Sequence, residues 1–126
     1  MAELNIAIAD DNRQTLELLG EILEGEKDYH IVGKADNGNE AYNMILKTRP
    51  DVVLMDIVMP GMDGLETCKK LREHYPEANI FMVSSMAYDD MIDRAAALGA
   101  KGFLFKPFTR ETLLEGLKGA FKAIHM

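Results

Sequence analysis

The sequence predicts an α/β domain in which a parallel five-stranded sheet is wound on both faces by helices. Five short apolar runs alternate strictly with five longer amphipathic stretches. The connections between them are short, so successive strands are joined by right-handed crossovers rather than hairpins. The runs that begin at Val52 and Ile80 are nearly continuous apolar segments, as strands covered on both sides are.

The first run, Leu4 to Ala9, leads into Asp10-Asp11, and Asn12 N-caps a helix that places Leu16, Leu19, Ile22 and Leu23 on one face. After the second run, His30 to Ala35, Asn37 and Glu40 form a capping pair. The helix they open turns Ala41, Met44 and Ile45 inward and ends before Pro50. The third run, Val52 to Asp56, is followed by the same logic at Asp63 and Glu66, ahead of Leu65, Cys68 and Leu71, with Pro76 closing the helix. The fourth run, Ile80 to Ser84, precedes a helix from about Tyr88 to Leu98 that stops at Gly99, a left-handed C-terminal residue. The fifth, Gly102 to Phe105, precedes a helix opening at Thr109 and burying Leu113, Leu117, Phe121 and Ile124.

A chain of 126 residues holds one such domain, residues 1–126. With 48% apolar and 28% charged residues it falls outside the disordered, collagen-like and disulfide-stapled classes. No apolar run reaches bilayer-spanning length, and Met1-Ala2-Glu3-Leu4-Asn5 carries no basic leader, so the expectation is a cytoplasmic protein without a membrane contact. Its one cysteine, Cys68, sits at helical spacing among apolar neighbours and reads as packing. A formal charge of -7 repels a phosphate backbone, which argues against nucleic-acid binding and for a cation or a basic partner.

Ligands of open parallel sheets bind beyond the carboxyl ends of the strands. Those ends carry Asp10 and Asp11, Asp56, Ser84 and Lys106. Two carboxylates about 5 Å apart repel by roughly 3 kcal/mol at an effective dielectric of about 20, so three at one edge need compensation. A divalent cation and Lys106 supply it, and Mg2+ is the ion that pairs one or two carboxylates with waters and a phosphate. With Asp56 as nucleophile, the constellation transfers a phosphoryl group to a carboxylate, the cation and Lys106 neutralise the transferring oxygens, and Ser84 hydrogen-bonds the product.

Ala9-Asp10-Asp11-Asn12, Met55 to Gly64 with its Pro60-Gly61-Met62-Asp63-Gly64 ending, Val83-Ser84 and Phe105-Lys106-Pro107-Phe108 together resemble a response-regulator receiver domain of the sporulation-regulator or chemotaxis kind. The match spans essentially the whole chain. The resemblance implies a flavodoxin-like (βα)5 fold with strand order 2-1-3-4-5. It also implies that Asp56 is the phosphoacceptor, that Asp10 and Asp11 hold Mg2+ with Asp56 and the Val58 carbonyl, and that Lys106 contacts the phosphoryl group. Ser84 and Phe103 become the switch pair, with Lys106-Pro107 a cis peptide that aims the lysine into the site. The donor implied is a phosphohistidine on a sensor histidine kinase or histidine phosphotransfer protein. The output is a changed surface around the fourth helix, fifth strand and fifth helix that controls an output domain or a partner protein. The expected resting state is a monomer, and the chain is a phosphoacceptor signalling domain rather than an enzyme.

Several positions depart from the common pattern. Ser84 lacks a threonine methyl, Ser85 stands where a small residue is usual, and Phe103 has no hydroxyl, so its switching rests on packing alone. Val58 and Met86, two residues after the acceptor and the switch serine, are apolar and orient no attacking water, which predicts a long-lived phosphoryl group. His30, His74 and His125 show no metal-ligand spacing and read as structural or surface residues, while Met82, Met86 and Met91 read as filler. Asp89, Asp90 and Asp93 suit the first turn of a helix. A haloacid-dehalogenase-like phosphatase would need a second acid at Val58, a flavodoxin a first loop rich in Ser, Thr and Gly, and a nucleotide binder a glycine-lysine loop after a strand. None is present in the sequence.

Overall fold

The computed structural model describes residues 4–85 and 89–124, with the backbone alone for residues 89 and 120–124. The elements alternate β1 (Leu4–Ala9), α1 (Arg13–Glu24), β2 (Tyr29–Ala35), α2 (Gly38–Thr48), β3 (Val52–Met55), α3 (Gly64–His74), β4 (Asn79–Ser84), α4 (Asp89–Ala97), β5 (Gly102–Phe105) and α5 (Arg110–Ile124). All strands pair in parallel, in the order β2-β1-β3-β4-β5.

Alternation along each strand divides the core into two layers. Leu4, Ile6 and Ile8 of β1, with Val52 and Leu54 of β3, pack against Leu19, Ile22 and Leu23 of α1 and Leu113 and Leu117 of α5. Ala7, Ala9, Val53 and Met55 face the other way, onto Ala41 and Ile45 of α2, Leu65, Cys68 and Leu71 of α3, and Ala95 of α4. β3 is buried along its whole length, in line with its unbroken apolar run. Each fully buried Leu or Ile contributes roughly 1.5–3 kcal/mol, so the sheet is held chiefly by these two layers.

The helix ends obey local chemistry. Asn12, Asn37 and Asp63 accept hydrogen bonds from the backbone N–H of Thr15, Glu40 and Glu66, at 3.1, 2.9 and 2.8 Å. At α5, Thr109 and Thr112 bond reciprocally, each backbone N–H donating to the other's hydroxyl. Gly99 has φ 96 and terminates α4 in the left-handed region.

Three strand boundaries differ from the sequence reading, and α4 ends one residue earlier, at Ala97. β3 stops at Met55, although the Asp56 N–H still donates to the Ala9 carbonyl at 2.9 Å. β2 and β4 each begin one residue earlier, at Tyr29 and Asn79. The expected starts and contacts at Tyr88, Met86 and His125, and the side chains of Phe121 and Ile124, lie outside the described residues.

Candidate functional site

The topology creates the site. From β1 the chain crosses to β2 on one side and then to β3 on the other, so a crevice opens where β1 and β3 lie side by side. Their register pairs Ala9 with Met55, which sets the next residues, Asp10 and Asp56, next to each other. On the far side Ser84 pairs with Phe105, and the Lys106 N–H donates to the Ser84 carbonyl at 3.0 Å. That bond places the lysine at the mouth of the same crevice, after which Lys106-Pro107 is cis.

Carboxylate oxygens of Asp10, Asp11 and Asp56 all lie within 4.8 Å of one another. Asp10 and Asp56 are buried, whereas Asp11 is exposed at the rim. Lys106 Nζ reaches Asp10 Oδ2 at 2.6 Å and Asp56 Oδ2 at 3.2 Å. Backbone donors complete the shell: the Asn12 N–H meets Asp10 Oδ1 at 2.9 Å, and the Val58 N–H meets Asp56 Oδ1 at 3.4 Å. The Asp10 N–H in turn donates to the Ala35 carbonyl of β2 at 3.0 Å.

Burial, and then the charge of Asp10, push the Asp56 carboxyl from 3.8 up to about 6, against the opposing pull of Lys106. For Lys106, burial works to lower the pKa, yet the hydrogen bond from its ammonium to Asp10 and the charge of Asp56 raise it overall. The lysine is therefore a permanent cation. Three carboxylates against this one ammonium leave an excess of two negative charges in a half-buried crevice. A hard divalent cation with an all-oxygen preference fits that donor set.

The structure thus brings together Asp10, Asp11, Asp56 and Lys106, and places Ser84, 1% exposed, at the neighbouring strand end. Val58 stands 52% exposed beside Asp56. Phe103 is half-buried, its ring 5.2 Å from that of Phe105. The sequence reading missed Phe105, an exposed aromatic on the same strand face as Phe103, although two-residue alternation was the available signal. It also missed the Asn12 N–H as a donor to Asp10 and the Ala35 carbonyl, which depend on backbone neighbours no motif spells out. Cys68 is buried with its thiol on the Leu98 carbonyl at 3.5 Å, and burial pushes its pKa up, as a packing role requires.

Residues 6–118 match the family model of the response regulator receiver domain. The chain belongs to the response-regulator receiver family of two-component signalling. It is 36% identical over 119 residues to the chemotaxis protein CheY of Listeria monocytogenes, covering 94% of this chain and 99% of that protein. Among solved structures it is similar to CheY of Borrelia burgdorferi in a CheX-CheY-BeF3-Mg complex, with TM-score 0.90, 28% identity and coverage of 95% and 90%. It is also similar to the signal receiver domain of the response regulator NarL from Mycobacterium tuberculosis, with TM-score 0.88, 30% identity and coverage of 95% and 98%. The family binds Mg2+ at a cluster of aspartates, and this chain has such a cluster in Asp10, Asp11 and Asp56. Among the described residues no helix is long and apolar enough to cross a membrane.

Proposed function

We propose that this receiver takes a phosphoryl group onto Asp56 from a phosphohistidine donor and uses the change to reshape its α4-β5-α5 surface. The observation that carries the reading is the Lys106 ammonium lodged between Asp10 and Asp56 in a three-carboxylate crevice. An Asp56 carboxylate oxygen attacks phosphorus, a P–O bond forms as the P–N bond to the donor imidazole breaks, and the imidazole departs with the electron pair and takes up a proton. Asp10, Asp11, Asp56 and the Val58 carbonyl would hold Mg2+, which when bound supplies charge neutralisation to the transferring oxygens. Lys106 holds its proton throughout and offers a fixed positive charge to the arriving phosphoryl oxygens.

Ser84 then hydrogen-bonds the phosphoryl group, and Phe103 turns inward behind it. Two features support this coupling. The Ser84 carbonyl is tied to the Lys106 N–H, so β4 and β5 move together at that end. A recess of about 150 Å³ beside Phe103, lined by Ile92, Ala95 and Ala100, gives the ring room between α4 and β5. The surface so altered acts on an output domain or a partner protein, and a sensor histidine kinase or histidine phosphotransfer protein is the donor.

Intact mass after incubation with acetyl phosphate tests the reading. Wild type gains one phosphoryl group in Mg2+, and neither wild type in EDTA nor Asp56→Asn gains any. Labelling of Asp56→Asn to the wild-type extent places the acceptor elsewhere.

A further inference from the structure

We infer that the connection from β2 to α2, Ala35 to Gly38, is a strap that sets the spacing between the two halves of the acidic site, with Gly38 a positioning residue for the divalent cation. The inference rests on the magnesium reading above. Asp10 and Asp11 form one half, on the loop after β1. Asp56 and Val58 form the other, on the segment that runs from β3 through Pro60-Gly61-Met62 to α3. The β1-β3 ladder and the Lys106 ammonium join the two halves at Asp10 and Asp56, and the strap adds a backbone link from Asp10 to the loop that follows Val58. Its Ala35 carbonyl accepts from the Asp10 N–H at 3.0 Å, and its Gly38 N–H donates to the Pro60 carbonyl at 3.4 Å.

The strap is stiff. Asn37 caps α2 through the Glu40 N–H at 2.9 Å while its own amide donates to the Asp36 carboxylate at 3.0 Å. Gly38 is buried against the loop so closely that a Cβ there would stand 2.7 Å from both the carbonyl carbon and the Cβ of Met62, and would overlap the Met62 carbonyl oxygen. The obstacle is backbone, which cannot swing aside as a side chain tip does. Gly61, with φ 75, turns the same loop beneath Asn39, where any Cβ would come within 2.9 Å of the Asn39 amide nitrogen. The far end of the loop is fixed by the Gly64 N–H on the Ile57 carbonyl at 2.6 Å. Val58 sits between these two anchorages, so a larger residue at position 38 moves Val58 relative to Asp10 and Asp11. Backbone partners that orient metal ligands commonly affect affinity by about 10–100-fold when disturbed.

A packing role alone would make Gly38→Ala cost stability and nothing more. Gly33→Ala supplies that comparison, because it crowds the Met44 side chain on the same β2-α2 pair, where a Cβ would meet Met44 Sδ at 2.5 Å, away from the loop. Mg2+ titration by calorimetry, melting in EDTA and acetyl-phosphate labelling at low and high Mg2+ are run on wild type and both variants. The expected result is an Mg2+ Kd weakened about tenfold in Gly38→Ala, with labelling restored at high Mg2+. Gly33→Ala melts lower with its Kd unchanged. An unchanged Kd in Gly38→Ala, or losses of affinity in both variants that track melting temperature, overturns the inference. Should Gly38→Ala not fold, Asn37→Ala, which removes both the cap on the Glu40 N–H and the amide bond to Asp36 within the strap, decides: a Kd weakened about threefold supports the strap and an unchanged one overturns it. Wild type that binds no Mg2+ removes the magnesium reading itself, an outcome separate from a variant that matches wild type.

Discussion

Lys106 lies 2.6 Å from Asp10 and 3.2 Å from Asp56, two buried carboxylates, so its charge falls more on Asp10 than on Asp56. Burial first and the Asp10 charge second raise the Asp56 carboxyl to about 6 against the pull of Lys106, so it is ionised near neutral pH yet poorly neutralised. Replacing the lysine with a neutral residue of similar length separates its two effects. In Lys106→Met the crevice is more negative, so Mg2+ is expected to bind severalfold more tightly by calorimetry, while acetyl-phosphate labelling falls at least about tenfold for want of a fixed cation. Tighter Mg2+ binding with undiminished labelling would show that the lysine only holds the crevice together. At Val58, 52% exposed and without a polar atom on its side chain, the sequence puts no group able to orient water. Decay of the phosphoryl mass after donor removal is accordingly expected to be severalfold slower in wild type than in Val58→Asn with Met86→Glu. Wild-type decay as fast as the variant's discards that account.

Helices α1, α2, α3 and α5 are each started by a side chain that accepts from a free N–H of the first turn, and this is why those elements could be read from the chain. Asp63 is the informative case, since the helix it caps begins one residue later, at Gly64, where the acceptor loop ends. Asp63→Ala removes the acceptor of the Glu66 N–H and is expected to cost about 1 kcal/mol in urea unfolding, with little change in Mg2+ affinity. A loss of affinity as large as that expected for Gly38→Ala would mean the cap also positions the loop. Asn12, Asn37, Asp63, Pro50, Pro76 and Gly99 punctuate the sequence by chemistry that acts over three or four residues, so they were legible. Period-two and helical patterning likewise placed the strand and helix faces. The neighbours of a strand are not local, and the order β2-β1-β3-β4-β5 entered only through resemblance. For the same reason the pairing of Lys106 with Asp10, 96 residues apart, the Ala35 carbonyl on the Asp10 N–H and the fit of Gly38 against Met62 could not be read from spacing. The register shift between Ile6 and Ala7, which leaves Val32 of β2 unpaired with β1, has no sequence signal either.

At the scale of the whole molecule, the two apolar layers carry a cluster of like charges that opposes folding whenever the cation is absent. Asp56 shows this most directly, because its carboxyl is raised from 3.8 to about 6 by burial first and by Asp10 second. A raised carboxyl pKa means that the folded state binds the proton more tightly than the unfolded chain does. The stabilisation from that proton is full below 3.8 and is lost as pH rises through about 6. A shift of about two units corresponds to about 3 kcal/mol, and the side chain is only 8% exposed, so solvent screens little of it. Other carboxylates also titrate in this range, and a neutral isostere cancels their effect. In EDTA, Asp56→Asn is therefore expected to match wild type in urea unfolding near pH 4 and to exceed it by about 2–3 kcal/mol near pH 7.5. Saturating Mg2+ near pH 7.5 narrows the gap, because a ligand that binds only the folded state adds stability as its concentration passes Kd, and wild type holds it with one more carboxylate. A difference between the two proteins that stays constant from pH 4 to pH 7.5 would mean that Asp56 ionises as it does in the unfolded chain. The crevice would then place no electrostatic load on the fold, and Mg2+ would raise the stability of both proteins alike.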